Sequence, residues 1–380
     1  MASAVRSDPW RVGVLFSRSG VMQVSETEHF LGTALAIAEL NEAGGVLGRE
    51  IDAVAYDPAS DPAEYQRLAA RLLADDGVSV IFGCSTSQCR KAVLHLVERR
   101  NALLWYPSLY EGFEFSPNVI YTGAAPNQTS PHLAAWLVAN RGRRISFVGS
   151  DYIYPRESNR IMRDLLHELG GEVLSETYVP FGAGEERLRP VVGALAALRP
   201  DVVFSTVVGA SAQAFYRLYP LAGLDPAATP IASLTMAEGE VRAIGPALCA
   251  GHITSATYFA SLPGEANARF RAAFRARFGA DRPVSMWAET AYMQVHLFAR
   301  ALARTGTLDT EQLVAATHGQ EIEAPEGRVT IDPDNHHAWL RPRIGVLDRA
   351  GNFEIAWEAK ASLRPDPYLT SFGPAGTWLG

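Results

Sequence analysis

Short apolar runs alternate with amphipathic stretches along most of the chain. Residues 11–16, 50–56, 78–82 and 102–105 are compact apolar runs bounded by turn formers, as expected of strands buried on both faces of a sheet. Between them lie stretches with helical spacing. Residues 28–42 carry Leu31, Ala34, Leu35 and Ala38 on one face, after a loop expected at 17–25, and Ala43-Gly44-Gly45 reads as a C-cap. Asp61 as N-cap, Pro62 at N1 and Glu64 at N3 open the next helix, which runs to about residue 75. Residues 88–100 form the third. Strands regularly separated by helices predict a doubly wound parallel α/β sheet.

A strand at 118–122 follows, and then the pattern starts again. Helices at 130–140, 155–169, 185–198 and 210–219 alternate with strands at 145–148, 172–178, 201–207 and 230–234. Thr235 and Glu238 have the spacing of a capping box for a further helix. Amphipathic helices are expected at 266–278, 284–304 and 310–317. The tail changes to short antiparallel strands at 321–331, 341–347 and 353–357, turning at Pro325-Glu326-Gly327 and at 348–352. A length of 380 residues exceeds one ordinary core, so two domains are expected.

The stretch 145–159 stands out. Its strand ends at Gly149, its helix has Pro155 in the first turn, and Tyr152 and Tyr154 lie between them. In a parallel sheet this is the end of the strand at which ligands bind. Two phenols there either wall a ligand site or pack against their own lobe. Two other strand-to-helix loops are rich in hydroxyls. Gly83 to Ser87 offers Ser85 and Ser87 beside free helix N–H groups, with simple capping as the plainer alternative. Tyr106-Pro107-Ser108 is the other.

Composition narrows the classes. Hydrophobic residues make up 48% and charged residues 20%, with a formal net charge of -7. Lys91 and Lys360 are the only lysines, and no basic cluster or arm is present. A direct nucleic-acid partner is therefore not expected. No run is long enough to span a membrane, and the first ten residues lack the charged and apolar regions of a secretory signal. Cys84, Cys89 and Cys249 form no CxxC, which suggests reduced structural thiols in a cytoplasm.

Catalytic and cofactor motifs are missing. There is no GxGxxG, Walker motif, HExxH or GxSxG. Asp332 to His337 reads as a turn rather than a metal site, since it lacks the Gly and terminal Glu of an EF-hand. Cys89 has Arg90 and Lys91 beside it but no nearby histidine as base, and His95 reads as packed or on the surface. No metal, cofactor or catalytic residue is expected.

Arg90-Lys91-Ala92-Val93, residues 110–114, the run 149–159, residues 202–209 and 231–235, and Arg364-Pro365-Asp366-Pro367-Tyr368 carry a resemblance over essentially the whole chain. It is similar to the type I periplasmic-binding-protein family, and within it to cytoplasmic amide-sensing regulators of aliphatic amidase operons. The resemblance implies two Rossmann-like lobes, residues 1–123 plus 255–331 and residues 124–254 plus 332–380, with a ligand cleft between them. It implies that Ser85, Ser87, Tyr106, Ser108, Leu109, Tyr152 and Tyr154 line the site, with Thr206, Val207 and Thr235 on the facing lobe.

Ser85 takes the place of a tyrosine in the resembled regulators, Ser108 of a threonine and Leu109 of a proline. A larger pocket, or one that admits water, is expected, for an amide bulkier than acetamide or for a urea or nitrile product. Function would be negative regulation of amidase or nitrile-degradation genes, by holding an RNA-binding antitermination protein that the ligand releases. The alternatives are a substrate-binding protein of an ABC transporter for urea, short-chain amides or branched-chain amino acids, periplasmic if a signal has been removed, and an amide hydrolase. Homo-oligomer formation stays open.

Overall fold

The structure, a computed structural model, describes residues 8–370. The first series comprises β1 (Trp10–Leu15), α1 (Gln23–Glu42), β2 (Ile51–Tyr56), α2 (Pro62–Ala74), β3 (Val80–Gly83), α3 (Ser87–Arg99), β4 (Leu103–Tyr106) and β5 (Val119–Tyr121). Its strands form one five-stranded parallel sheet in the order β2-β1-β3-β4-β5. Buried apolar side chains cover both faces of that sheet, which is why its strands read as near-continuous hydrophobic runs.

α1 starts at Gln23, inside the expected loop, and no side chain caps it. Its start is held from across the lobe, where the Met22 amide donates to Ser60 Oγ at 3.0 Å. No local signal encodes that bond. At α2 the local signal suffices: the Asp61 carboxylate accepts from the Ala63 amide at 2.8 Å. Asp61→Ala is expected to destabilise the protein by about 1 kcal/mol, read as a lowered denaturation midpoint with unchanged slope.

The second series runs α4 (Ser130–Asn140), β6 (Arg144–Ser150), α5 (Ile153–Glu168), β7 (Glu172–Val179), α6 (Glu185–Leu198), β8 (Val202–Thr206), α7 (Gly209–Leu218), β9 (Ile231–Ser233), α8 (Glu238–Ile244), α9 (Pro246–Cys249) and β10 (Ile253–Ala256). Next come α10 (Glu265–Phe278), α11 (Met286–Thr305) and α12 (Thr310–Thr317), then β11 (Glu321–Ala324), β12 (Gly327–Ile331), β13 (Ala338–Trp339), β14 (Arg343–Leu347) and β15 (Phe353–Glu358). The second sheet has seven strands in the order β15-β14-β10-β9-β8-β6-β7. β14 and β15 are its antiparallel additions, and β11-β12-β13 form a small separate sheet. α11 returns to the first lobe and packs along α1, where Phe298 meets Phe82 and Trp105 edge-on.

The chain crosses between the sheets three times, after β5, after β10 and before β14. Side chains tie the crossings together. Gln128 donates to the carbonyls of Ala338 and Leu363, both at 2.9 Å, and Ser255 donates to that of Thr129 at 3.3 Å. Arg343 reaches the carbonyl of Thr257. The outer ends of the expected lobes, residues 1–7 and 371–380, lie outside the described residues.

The expected capping box does not form. Ala237, not Thr235, occupies the N-cap of α8, and Glu238 accepts from the Ala260 amide at 2.7 Å. Asp332 to His337 makes a turn in which Asp332 accepts from Trp339 and Arg364 at 2.9 and 2.8 Å.

Candidate functional site

The carboxyl ends of β3, β4, β6, β8 and β9 converge on one cavity between the lobes. Its volume is about 30 Å³. From the first lobe Met22, Ser25, Ser85, Thr86, Ser87, Ser108, Leu109 and Trp287 line it. From the second come Tyr152, Tyr154, Val207, Val208, Gly209, Ala212, Tyr216, Ser233, Thr235, Met236 and Glu240.

The β3–α3 turn shows how local sequence places a hydroxyl. Cys84 adopts φ +67°, a left-handed conformation costly for a non-glycine residue. Thr86, rather than either serine, caps α3 by accepting from the Cys89 amide at 3.4 Å. Neither Ser85 nor Ser87 is spent on that cap, and both line the cavity. On the second lobe Tyr152 stands at the N-cap of α5 and Tyr154 in its first turn, with ring centroids 6.1 Å apart. Tyr152 also packs edge-on against Phe181 at 5.6 Å. The two readings of these phenols therefore coexist. The buried Tyr154 hydroxyl lies beside Ser158, and that of Tyr216 has no partner among the described residues. A buried phenol without a partner is costly, which leaves the Tyr216 hydroxyl available to a ligand.

Eight of the ten residues expected at the site line the cavity. Tyr106 and Thr206 sit one layer behind. The Tyr106 hydroxyl donates to the Ser85 carbonyl at 2.5 Å, fixing the turn, and Thr206 donates to Asn159 at 2.9 Å. The larger pocket expected from Ser85 is not open. The Ser85 hydroxyl is drawn to Ser108 at 3.1 Å, and Met22, Leu109, Met236 and Trp287 crowd the space.

Charge is sparse here. Among the described residues no Lys or Arg lines the cavity, and Glu240 is its one carboxylate. Glu240 accepts from the Trp287 indole at 3.2 Å, and burial pushes its pKa up to about 7. Glu28, across the cleft on α1, lies against Gly239, accepts from Ser285 and is raised by burial and by Glu240. The lobes also meet where the Ala210 amide donates to the Val21 carbonyl at 2.9 Å. Gly209, at φ +61°, permits that approach: a Cβ there would lie 2.4 Å from the same carbonyl oxygen.

Behind Ser87 lies a buried ionic network. Arg90, fully buried, lies between the rings of Tyr106 and Tyr110 at 4.7 and 4.6 Å. It donates to Glu114 at 2.6 Å, to Glu111 at 3.4 Å and to Ser87 Oγ at 3.2 Å. Burial alone would raise Glu114, but Arg90 and Lys91 outweigh it and hold the pKa down to about 2.

Trp287, Glu240 and Tyr216 escape sequence reasoning because each sits on a helix face indistinguishable from ordinary core. Only the return of α11 to the first lobe brings Trp287 to the cleft. The Cys89 thiol is fully buried and its pKa is pushed up, so it is an inert core group.

The family model described as periplasmic binding protein domain matches residues 10–373. Leu/Ile/Val-binding protein homolog 6 of Brucella melitensis is 25% identical over 345 residues, covering 88% of this chain and 87% of that protein. A solute-binding protein of an ABC transporter from Rhodopseudomonas palustris BisB5, in complex with 3,4-dihydroxybenzoic acid, has a TM-score of 0.83 at 23% identity, covering 94% of this chain and 99% of that one. A branched-chain amino acid transporter substrate-binding protein from Streptococcus pneumoniae, in complex with isoleucine, has a TM-score of 0.79 at 18% identity, covering 94% and 100%. At those identities the solved structures share the fold.

Proposed function

The chain belongs to the periplasmic binding protein family, and from that premise we propose that it is the solute-binding component of an ABC transporter that closes on a short neutral polar molecule of the amide or urea class. One observation carries the ligand class: a hydroxyl-lined cavity of about 30 Å³ with no cation on its wall. A cavity of roughly 150 Å³ accepts a benzene ring. Leucine or benzoate would therefore need a wider cleft, and an aromatic carboxylate would lack a cation to pair with. A four-atom amide gains at most ~6 kcal/mol, which corresponds to a Kd on the order of tens of micromolar.

Calorimetry with acetamide, propionamide, butyramide, urea, leucine and benzoate tests this reading. The four- and five-atom ligands are expected to bind tightest. Tighter binding of leucine or benzoate than of any amide or urea would overturn it.

A second reading shares the site and differs in what reads the closed form. The resemblance of residues 149–159 to amide-sensing regulators supports a cytoplasmic sensor that restrains amidase expression by holding an RNA-binding antiterminator. Fractionating cells that express the natural gene separates the two: periplasmic protein associated with a permease, or cytoplasmic protein associated with an antiterminator.

Amide hydrolysis is the weakest reading. His29 Nε2 lies 3.3 Å from Ser108 Oγ, but burial lowers the ring's pKa to about 3 and no carboxylate orients it. Such an imidazole is a feeble base at neutral pH.

A further inference from the structure

We propose that three buried groups outside the cavity wall, His29, Glu111 and Arg90, fix the direction of the two serine hydroxyls, so that Ser85 presents a donor and Ser87 an acceptor, and the site selects molecules with a carbonyl oxygen beside an N–H. This rests on the reading of the closed cleft as a site for a short amide and adds how the amide is told from its isosteres.

Consider Ser87 first. Its hydroxyl donates to Glu111 Oε2, and its oxygen accepts from Arg90 Nη1 at 3.2 Å. Neither bond can reverse. A guanidinium has no acceptor, and a carboxylate paired to it, here at 3.4 Å, has no donor. Glu111 is 2% exposed and Arg90 fully buried, so water cannot easily take their place. The proton of Ser87 is thus committed away from the cavity. What remains toward the ligand is a lone pair.

Ser85 has the opposite polarity. His29 lies within the core, its ring stacked 5.2 Å from Phe16, and its Nδ1 has no partner. A bare buried lone pair costs less than a buried N–H without an acceptor, so the hydrogen-bond network assigns the ring proton to Nε2. Nε2–H then donates to Ser108 Oγ at 3.3 Å, and Ser108 donates to Ser85 Oγ at 3.1 Å. Ser85 has accepted, and its own proton is left for the cavity. A primary amide satisfies both hydroxyls at once. A ketone of the same shape leaves the Ser87 lone pair facing a methyl group.

Acetamide and acetone, equal in size, make the test, by NMR titration with competition between them. The wild-type protein is expected to favour acetamide about tenfold or more, the value of one buried hydrogen bond. Ser87→Ala should bring the two within about twofold, with acetone little changed. In Glu111→Gln the amide oxygen turns to Arg90 and its NH2 to Ser87, reversing the hydroxyl, so the preference should also vanish. Melting curves and retained acetone binding show that each variant is folded, and Ser87→Ala decides if Glu111→Gln does not fold. A preference that persists in Ser87→Ala, or affinities for the two probes that fall in proportion, would overturn the assignment. Failure of the wild-type protein to bind acetamide or urea at all would instead bring down the ligand class beneath it.

Discussion

Arg90→Ala should destabilise the protein by about 3–5 kcal/mol, the largest loss expected of any single polar substitution here. The cost is not the worth of the ion pairs themselves. Removing the guanidinium strands Glu111 and Glu114, 2% and 8% exposed, without their shared partner. It also opens space between Tyr106 and Tyr110. Lys91 still reaches Glu114 at 2.7 Å from a half-exposed position, so Glu111 bears most of the penalty. Chemical denaturation gives the magnitude, and its pH dependence gives the cause. Glu114 has a depressed pKa, so in the wild type its contribution is present above the ordinary carboxylate pKa of 4.5 and is lost as pH falls toward about 2. Arg90→Ala should flatten that acid limb. An unchanged limb, or a loss below about 1 kcal/mol, would mean that the network is not a unit.

Ligand affinity should fall by about one to two orders of magnitude as pH rises from 5 to 8. Glu240 and Glu28 face each other across the closing surface, α8 against α1. Glu238 and Arg282 are the other charges that act on Glu28, and Ser285 and Trp287 are the neutral donors to the pair. Glu240 is raised from 4.5 to about 7 and Glu28 is raised as well, so the closed form holds protons that an open, hydrated cleft would release. The sign follows from linkage: closure is fully favoured below about 4.5, weakens as pH climbs to about 7, and is level above that. One pKa unit of difference is worth a factor of ten. Calorimetry in buffers of different ionisation enthalpy should show proton uptake on binding near pH 6. Burial alone raises Glu240, so Glu28→Gln should shallow the profile and the Glu28→Gln/Glu240→Gln pair should level it. Proton release, or a level profile in the wild type, would refute the assignment of these two carboxyls.

The architecture was legible because its signals are local and periodic. Strands buried on both faces have no polar residues to interrupt them, and Asp61-Pro62 fixes its helix by bonds within a few residues. The hydroxyl turns could be found for the same reason, since strand ends in a parallel sheet are where ligands sit. Long-range bonds were not legible. The start of α1 depends on Ser60, and Thr235 and Glu238 have local capping chemistry that the fold spends on the cavity and on Ala260. Tyr216, Glu240 and Trp287 reach the cleft, and His29 reaches Ser108 behind it, only through topology. Cavity size does not follow from Ser85 alone, because residues that fill the space lie on other elements.

Gln128, Ser255 and Arg343 bind each crossing segment to a carbonyl of another. Bending one connection without the others would break those bonds in a buried setting. The three connections are therefore tied to one another, and opening is expected to bend them together. A permease or a regulator that touches both lobes would then sense the bending of all three connections as one signal.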